Sequence, residues 1–162
     1  IYGAGVGSLS EQLGVPMAEG RQIKQAYLKA MVGLADFQYS VECRSEVKTW
    51  GGRIIPVEPP KVNEDGSTWS FNYKLVNHLI QGTAADQTKQ SIIEYHENPH
   101  YGRFLMTVHD ENVNSVKLEF LRKEMAALAQ AMEGLPGFDV PFIVEMEWGN
   151  NWHDLTSEVP NI

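Results

Sequence analysis

Apolar residues recur at helical spacing in three parts of the chain. Between Met17 and Arg44 they lie three and four positions apart, which predicts one long amphipathic helix. The apolar face of this helix consists of Ile23, Tyr27, Ala30, Leu34, Phe37 and Val41. A second long helix is predicted from about Ser70 to His96, and a third follows Val116. The apolar face of the third consists of Leu118, Leu121, Met125, Leu128 and Met132.

Shorter apolar runs predict strands near the C-terminal end of the chain. The run from Arg103 to Val108 precedes a polar turn from His109 to Asn112, and a return strand is predicted from Val113 to Val116. From Val140 to Glu147 apolar and polar residues alternate, which predicts another strand.

Turn residues separate the remaining elements. Ser8 to Leu13 is predicted to form a short helix that Gly14 and Pro16 end. Trp50 to Val57 is typical of a turn between short strands, and Glu58 to Ser67 has the composition of a loop. Together the elements predict an α+β fold, in which an antiparallel sheet is backed by long helices.

Composition narrows the class of protein. A chain of 162 residues with 43% hydrophobic residues can form one folded core. The formal net charge of −8 argues against binding of nucleic acid, because phosphate binding favours basic surfaces.

Cys43 is the single cysteine, which excludes an internal disulfide, and no apolar run reaches membrane-spanning length. A cytoplasmic setting is therefore expected. Because the first residue is Ile1 rather than Met, we expect a fragment, a processed product or an incomplete reading frame.

Two side-chain amides share one face of the second long helix. Asn77 and Gln81 are one helical turn apart, and the small residues from Gly82 to Ala85 allow a close approach to the helix. Such a face suits a nucleic-acid minor groove, where every base pair presents N3 or O2 acceptors. Periodicity alone favours a simpler interpretation, a solvated helix face.

A carboxylate pair follows the apolar strand. Asp110 and Glu111 supply oxygen atoms of the kind that Mg²⁺ prefers, and phosphoryl transfer uses two such ions. His109 beside them could contact a phosphate, and Arg53 could do the same from its own turn. The turn alone favours a simpler interpretation, an ordinary polar hairpin turn. A zinc site is rejected, because Pro99 interrupts the helix between His96 and His100.

Four segments in order resemble one known family. Residues 77–86, NHLIQGTAAD, resemble the Q-G-T-A-A-D helix of family A DNA polymerases, the bacterial DNA polymerase I type. Residues 107–111, TVHDE, resemble the V-H-D-E of motif C, and Ile1-Tyr2-Gly3 resembles the end of motif B on the fingers helix. Residues 148–152, WGNNW, are similar to the closing segment of the family. Residues 2–5 are most similar to phage members.

The resemblance implies roles for the matching residues. Asp110 would be one of two metal-binding aspartates in a site for two Mg²⁺ ions, Glu111 its auxiliary neighbour, and His109 a residue near the primer terminus. Asn77 and Gln81 would contact the nascent duplex. Tyr2 would lie beside the templating base. Residues 1–44 would be the end of the fingers helices, and residues 45–162 would be part of the palm.

The chain also departs from the family. The second aspartate, on the motif A strand, has no counterpart in these 162 residues, and neither do the nucleotide-binding lysine and the thumb. Tyr73 stands where many relatives carry an arginine. An upstream polymerase fragment is therefore expected as a partner, together with primer–template DNA and dNTP, and the 162 residues alone are expected to be inactive.

Three functions are consistent with these patterns. The leading one is the C-terminal portion of a template-directed DNA polymerase. The second is a non-catalytic polymerase remnant or interaction subunit, held to a partner by an exposed sheet edge. The third is a Mg²⁺-dependent nuclease, which lacks support because no second carboxylate cluster of the required kind is found.

Overall fold

The computed structural model describes residues 5–160, which form helices and three small antiparallel sheets. The elements are α1 (Val6–Leu13), α2 (Met17–Ala30), α3 (Leu34–Glu42), β1 (Glu46–Lys48), β2 (Ile54–Pro56), β3 (Lys61–Val62), β4 (Thr68–Trp69), α4 (Lys74–Glu97), β5 (Arg103–Val108), β6 (Glu111–Ser115) and α5 (Leu121–Glu133). A 3₁₀ turn at Leu118–Phe120 leads into α5. Backbone contacts divide the chain into an N-terminal unit that ends at Thr83 and a C-terminal unit that begins at Ala84, within α4. The mixture of helices and antiparallel strands confirms the α+β prediction.

The long helix predicted from Met17 to Arg44 is wrong, because the structure has two helices there. Helix α2 ends at Ala30 and α3 begins at Leu34. Between them Gly33 has φ 81°, in the left-handed region that glycine adopts without steric cost. The apolar spacing continues across this break, but among the predicted face only Val41 is fully buried. The first helix is confirmed, and its C-cap is Gly14 with φ 65°.

The core of the N-terminal unit lies between the β1–β2 hairpin and the first half of α4. Val41, Val47, Leu75 and Val76 are buried there. Partly buried Ile55, Val57, Leu79 and Ile80 pack against them. The pairing of Val47 with Ile55 turns alternate side chains of the hairpin toward α4, so the short strands predicted around residues 50–57 are confirmed.

The stretch predicted as a loop from Glu58 to Ser67 contains part of a second hairpin. Strand β3 pairs with β4, with Lys61 opposite Trp69 and Val62 opposite Thr68. The turn between them is closed by the Asp65 carboxylate, which accepts hydrogen bonds from the Ser67 N–H at 2.9 Å and Oγ at 2.6 Å. Loop composition and a tight polar turn look alike in sequence, which explains the difference.

Helix α4 begins four residues later than predicted, at Lys74. Asn72 lies in the turn before it, where its Nδ2 donates to the backbone oxygens of Glu42 at 2.9 Å and Arg44 at 3.0 Å. The start of α4 is thereby tied to the end of α3. Among the described residues, no helix is both long enough and apolar enough to cross a membrane.

The C-terminal unit is built on the β5–β6 hairpin and helix α5. Buried Tyr95, Leu128 and Ala131 form its core, with Phe104 and Met146 packed against them. The hairpin register runs from Arg103 opposite Ser115 to Val108 opposite Glu111, with an irregularity between Phe104 and Met106. The polar turn is shorter than predicted, because Glu111 and Asn112 already belong to β6.

The strand predicted from Val140 to Glu147 is wrong. These residues pair with no strand in the described part of the chain. Instead the Val144 N–H donates to the Glu133 carboxylate at 2.9 Å, so a side chain takes the place of a neighbouring strand. Beyond it, Trp148 and Thr156 form an isolated antiparallel bridge.

Candidate active site

Asp110 lies at the tip of the β5–β6 hairpin. The strands end at Val108 and Glu111, which leaves His109 and Asp110 as the two turn residues. His109 has φ 54°, and it is the one non-glycine residue with positive φ among the residues described. Histidine tolerates this region better than branched residues do. The tight turn places both side chains in solvent at the end of a rigid ribbon.

The Asp110 carboxylate is free to bind an external group. It is exposed, and within residues 5–160 it has neither a hydrogen-bond nor an ion-pair partner. Glu111 follows directly in β6 and is also exposed. Its backbone oxygen accepts a 2.9 Å hydrogen bond from Thr107 Oγ1, which closes the hairpin beside the turn. The structure therefore brings together three of the predicted site residues, His109, Asp110 and Glu111.

Polar side chains of β6 attach the hairpin to the neighbouring helices. Asn112 Nδ2 donates to Ser91 Oγ on α4 at 3.1 Å, and Ser91 Oγ in turn donates to the Thr88 carbonyl at 2.8 Å. Two positions further on, Asn114 Nδ2 donates to Glu124 Oε1 on α5 at 2.7 Å. Residues two apart in a strand share a face, so both contacts are made from the same side of β6.

Glu124 is a buried residue that the sequence patterns did not single out. It is 2% exposed, and it accepts hydrogen bonds at both carboxylate oxygens. Burial raises the pKa of this carboxyl group, but the bonds from Tyr95, Asn114 and two backbone N–H groups outweigh it and leave the pKa lowered. The available signal was its position, because Glu124 shares the apolar face of α5 with Leu121 and Leu128.

Asn77 and Gln81 lie in the N-terminal unit, on the first half of α4. Asn77 is half-buried and Gln81 is exposed, and neither side-chain amide has a hydrogen-bond partner within the described part of the chain. The opposite face of the helix packs into the core through buried Leu75 and partly buried Leu79. The amides are therefore available to an external partner.

The β1–β2 hairpin packs against the small residues that follow Gln81. A Cβ atom added at Gly82 would lie 2.6 Å from Thr49 Cγ2 and 3.4 Å from Ile55 Cδ1. The Trp50 N–H also donates to Thr83 Oγ1 at 3.2 Å. Gly82 thus permits the β1–β2 turn to pack directly on α4.

Arg53 lies in this same turn and reaches α4. Its Nη2 donates to the Gly82 carbonyl oxygen at 2.8 Å, although the side chain is exposed. The guanidinium group therefore has a structural contact next to Gln81. Tyr2, the last predicted DNA contact, lies outside the described residues.

Among the described residues, Asp110 has the chemistry to supply one ligand to a metal ion. Asp110 fits one position, because its carboxylate is exposed, unpaired and held on a tight turn. No group of three or more His, Cys, Asp or Glu residues that could hold a metal ion occurs among the residues described. Further ligands have to come from elsewhere.

Comparison with known proteins assigns the family. Residues 1–154 match the family model of DNA polymerase family A. The chain belongs to this family, so the resemblance found in its motifs is confirmed.

Curated relatives come from animals, phages and bacteria. DNA polymerase theta of Drosophila melanogaster is 27% identical over 170 residues, which cover 96% of this chain and 8% of that protein. The DNA polymerase of Mycobacterium phage D29 is 29% identical over 161 residues, covering 93% of this chain and 24% of that protein. The chain thus spans less than a quarter of the length of either relative.

A solved structure has the same fold. The POL domain of Pol1 from M. smegmatis, in complex with DNA primer-template and dNTP, superposes with a TM-score of 0.75. The sequences are 23% identical, and the match covers 86% of this chain and 26% of that one. The likeness establishes the fold of this segment.

Proposed function

We propose that this chain is the C-terminal portion of the active site of a template-directed DNA polymerase. The reaction would be attack of a primer 3′-hydroxyl on the α-phosphate of a dNTP, with release of pyrophosphate. The observation that carries this proposal is the unpaired Asp110 carboxylate at the tip of the β5–β6 hairpin. Family membership supplies the reaction class.

Asp110 is proposed as a ligand of divalent metal. Two Mg²⁺ ions in a complete site would stabilise the charge on the attacking and leaving oxygens. Glu111, as its neighbour, would support the same site, and His109 would lie close to the primer terminus. The geometry that favours these roles is the two-residue turn, which holds all three side chains at one end of the hairpin.

The face of α4 that carries Asn77 and Gln81 is proposed to contact the minor groove of the newly formed duplex. Neutral amide donors at N3 and O2 acceptors can check the shape of a base pair without reading its sequence. Both amides lack internal partners among the described residues, and the helix beneath them is fixed by buried Leu75 and partly buried Leu79. Tyr2 and Arg53 are proposed as further DNA contacts.

A partner segment is part of the proposal. The described residues supply no complete metal site, so the motif A aspartate, the nucleotide-binding lysine and the thumb would come from an upstream polymerase segment. The 162 residues alone should then fail to extend a primer. The fingers would end near residue 44, the palm would begin there, and the setting would be cytoplasmic.

The test is primer extension with and without an upstream segment that contains motif A. We expect extension only with that segment, and Asp110→Ala should abolish it. Asp139→Ala is the matched control, because Asp139 is an exposed carboxylate of the same unit. Robust extension by the Asp110→Ala variant would contradict the proposal. If the wild-type mixture binds DNA without extending it, the chain is a non-catalytic binding subunit instead.

A further inference from the structure

Glu124 lies outside the proposed catalytic group, yet it contacts the hairpin that carries that group. Its side chain is 2% exposed and comes from α5. Buried carboxylates are rare, because leaving water costs free energy that neighbouring groups must offset. The hydrogen-bond donors around Glu124 show which segments this carboxylate connects.

The four donors come from three separate segments. Oε1 accepts from Tyr95 Oη on α4 at 2.6 Å and from Asn114 Nδ2 on β6 at 2.7 Å. Oε2 accepts from the backbone N–H of Tyr101 at 2.9 Å and of Gly102 at 2.7 Å, directly before β5. One carboxylate therefore joins two helices to both strands at the open end of the hairpin.

The backbone before β5 is shaped around this contact. A Cβ atom at Gly102 would lie 2.5 Å from Glu124 Oε1 and 3.0 Å from the Ser115 carbonyl oxygen. Only a glycine lets the chain pass this close to the carboxylate. Glu124 thus fixes the position of Gly102, the residue that directly precedes β5.

The charged form of the side chain matters for these contacts. A carboxylate has about four lone-pair sites and no donor, so it satisfies all four groups at once. Glutamine has nearly the same shape, but it replaces one acceptor oxygen by an amino group. On the Oε2 side the amino group would face two backbone N–H groups, and both bonds would be lost. On the Oε1 side it could be accepted only if the Tyr95 hydroxyl and the Asn114 amide reversed their directions, so in neither case would the present four bonds be kept.

We propose that Glu124 is a positioning residue that fixes the β5–β6 hairpin and so sets the location of Asp110. This proposal rests on the proposed role of Asp110. Asn114 lies four residues from Asp110 along β6, about 13 Å at the rise of a strand. A second contact, between Asn112 and Ser91, holds the hairpin nearer its turn. Loss of Glu124 should therefore loosen and shift the hairpin without detaching it.

The experiment compares Glu124→Gln with two other variants of the same unit. Tyr95→Phe removes one donor and keeps the ring, which gives a milder change that will fold if Glu124→Gln does not. Glu133→Gln makes the same exchange at an exposed carboxylate of α5, whose hydrogen bond is to the Val144 N–H and not to the hairpin. Amide hydrogen exchange of residues 103–115 is measured on the metal-free chain, and kcat is measured with the upstream segment present.

We expect faster exchange in the hairpin for Glu124→Gln and, to a smaller extent, for Tyr95→Phe. We also expect kcat of Glu124→Gln to fall by about 10- to 100-fold, since a misplacement on the order of 1 Å has that effect, while the Kd for DNA stays unchanged. Glu133→Gln should leave both hairpin exchange and kcat unaltered, because its carboxylate does not contact the hairpin.

Three results would overturn the proposal: unchanged hairpin exchange in Glu124→Gln and Tyr95→Phe, faster exchange with wild-type kcat, or the same changes in Glu133→Gln. The exchange measurement needs neither metal nor DNA, so it stands even if the polymerase proposal fails. Failure of that proposal is detected separately, by the activity of Asp110→Ala.

Discussion

The phenol of Tyr95 donates a 2.6 Å hydrogen bond to Glu124 Oε1, and both side chains are buried. Burial and the adjacent carboxylate raise the pKa of Tyr95 well above its usual value, so the phenol stays protonated. The pKa of Glu124 is lowered despite its burial, because the hydrogen bonds of its four donors stabilise the charged form. The pair is therefore a neutral donor with a charged acceptor, a combination stronger than a neutral hydrogen bond.

The stability of the C-terminal unit should depend on pH through Glu124. A folded pKa below the unfolded value near 4.5 means that the carboxylate stabilises the fold fully above that pH, and that the contribution is lost as pH falls through the folded pKa. Glu124→Gln should lower the free energy of unfolding by about 1.5–3 kcal/mol at pH 7, the range for hydrogen bonds to charged groups. Urea titrations at pH 7, 5 and 3 measure this.

The difference between wild type and Glu124→Gln should shrink markedly between pH 5 and pH 3. Glu119→Gln is a suitable control, because Glu119 is exposed and its change should stay within about 0.5 kcal/mol at each pH. A wild-type advantage over Glu124→Gln that is constant from pH 7 to pH 3 would show that its charge does not stabilise the fold.

Gly82→Ala should destabilise the N-terminal unit by about 1–3 kcal/mol, because the new methyl group would overlap the side chain of Thr49. Thr49→Ser removes the overlapping Cγ2 atom and keeps the hydroxyl group that accepts a 3.1 Å hydrogen bond from the Arg53 N–H. The double variant should regain most of the stability that Gly82→Ala loses. Thermal unfolding of both single variants and the pair gives the coupling, and strict additivity would contradict this packing.

Asn77→Ala and Gln81→Ala should each weaken binding of primer–template DNA by about 1 kcal/mol, the usual net worth of a hydrogen bond. The salt dependence of Kd should not change, since the amides are neutral and release no counterions. Gln87→Ala on the same helix is the control. Fluorescence anisotropy in several salt concentrations measures these effects, and equal losses in all three variants would argue against a specific duplex face.

Arg53→Ala separates a DNA contact from a structural one. If the guanidinium group binds a phosphate, as proposed, the slope of log K against log salt should decrease by about 1. The loss of its 2.8 Å hydrogen bond to the Gly82 carbonyl oxygen should also lower stability. Arg53→Lys keeps the charge, and it should retain most of the salt slope. Loss of stability with an unaltered slope in Arg53→Ala would assign the residue to the fold alone.

The hairpin that carries Asp110 could be predicted from sequence because its signal is local. An apolar run that ends in polar residues and resumes after a short gap specifies two paired strands. The exact turn could not be predicted, since Glu111 and Asn112 are polar in sequence but paired in β6. Strand pairing, rather than polarity, decides where the turn ends.

Features that depend on contacts distant in sequence were missed. The apolar spacing runs on past Gly33, and α2 is divided from α3 by the backbone between them, where Met31 has ψ 83° and Gly33 has φ 81°. The alternation from Val140 to Glu147 is typical of a strand, but a strand needs a neighbour, and the Val144 N–H is bonded to Glu133 instead. Glu124 was overlooked because its donors lie 10 to 29 positions away.

The contact between Gly82 and Thr49 has a practical consequence for protein engineering. The segment with the Q-G-T-A-A-D motif and the β1–β2 turn fit each other as a matched pair, through Gly82, Thr83 and the turn residues Thr49, Trp50 and Arg53. A chimaera that exchanges α4 for the helix of another polymerase should therefore exchange residues 46–56 with it. If the helix alone were exchanged, its residues would not fit the β1–β2 turn of this chain.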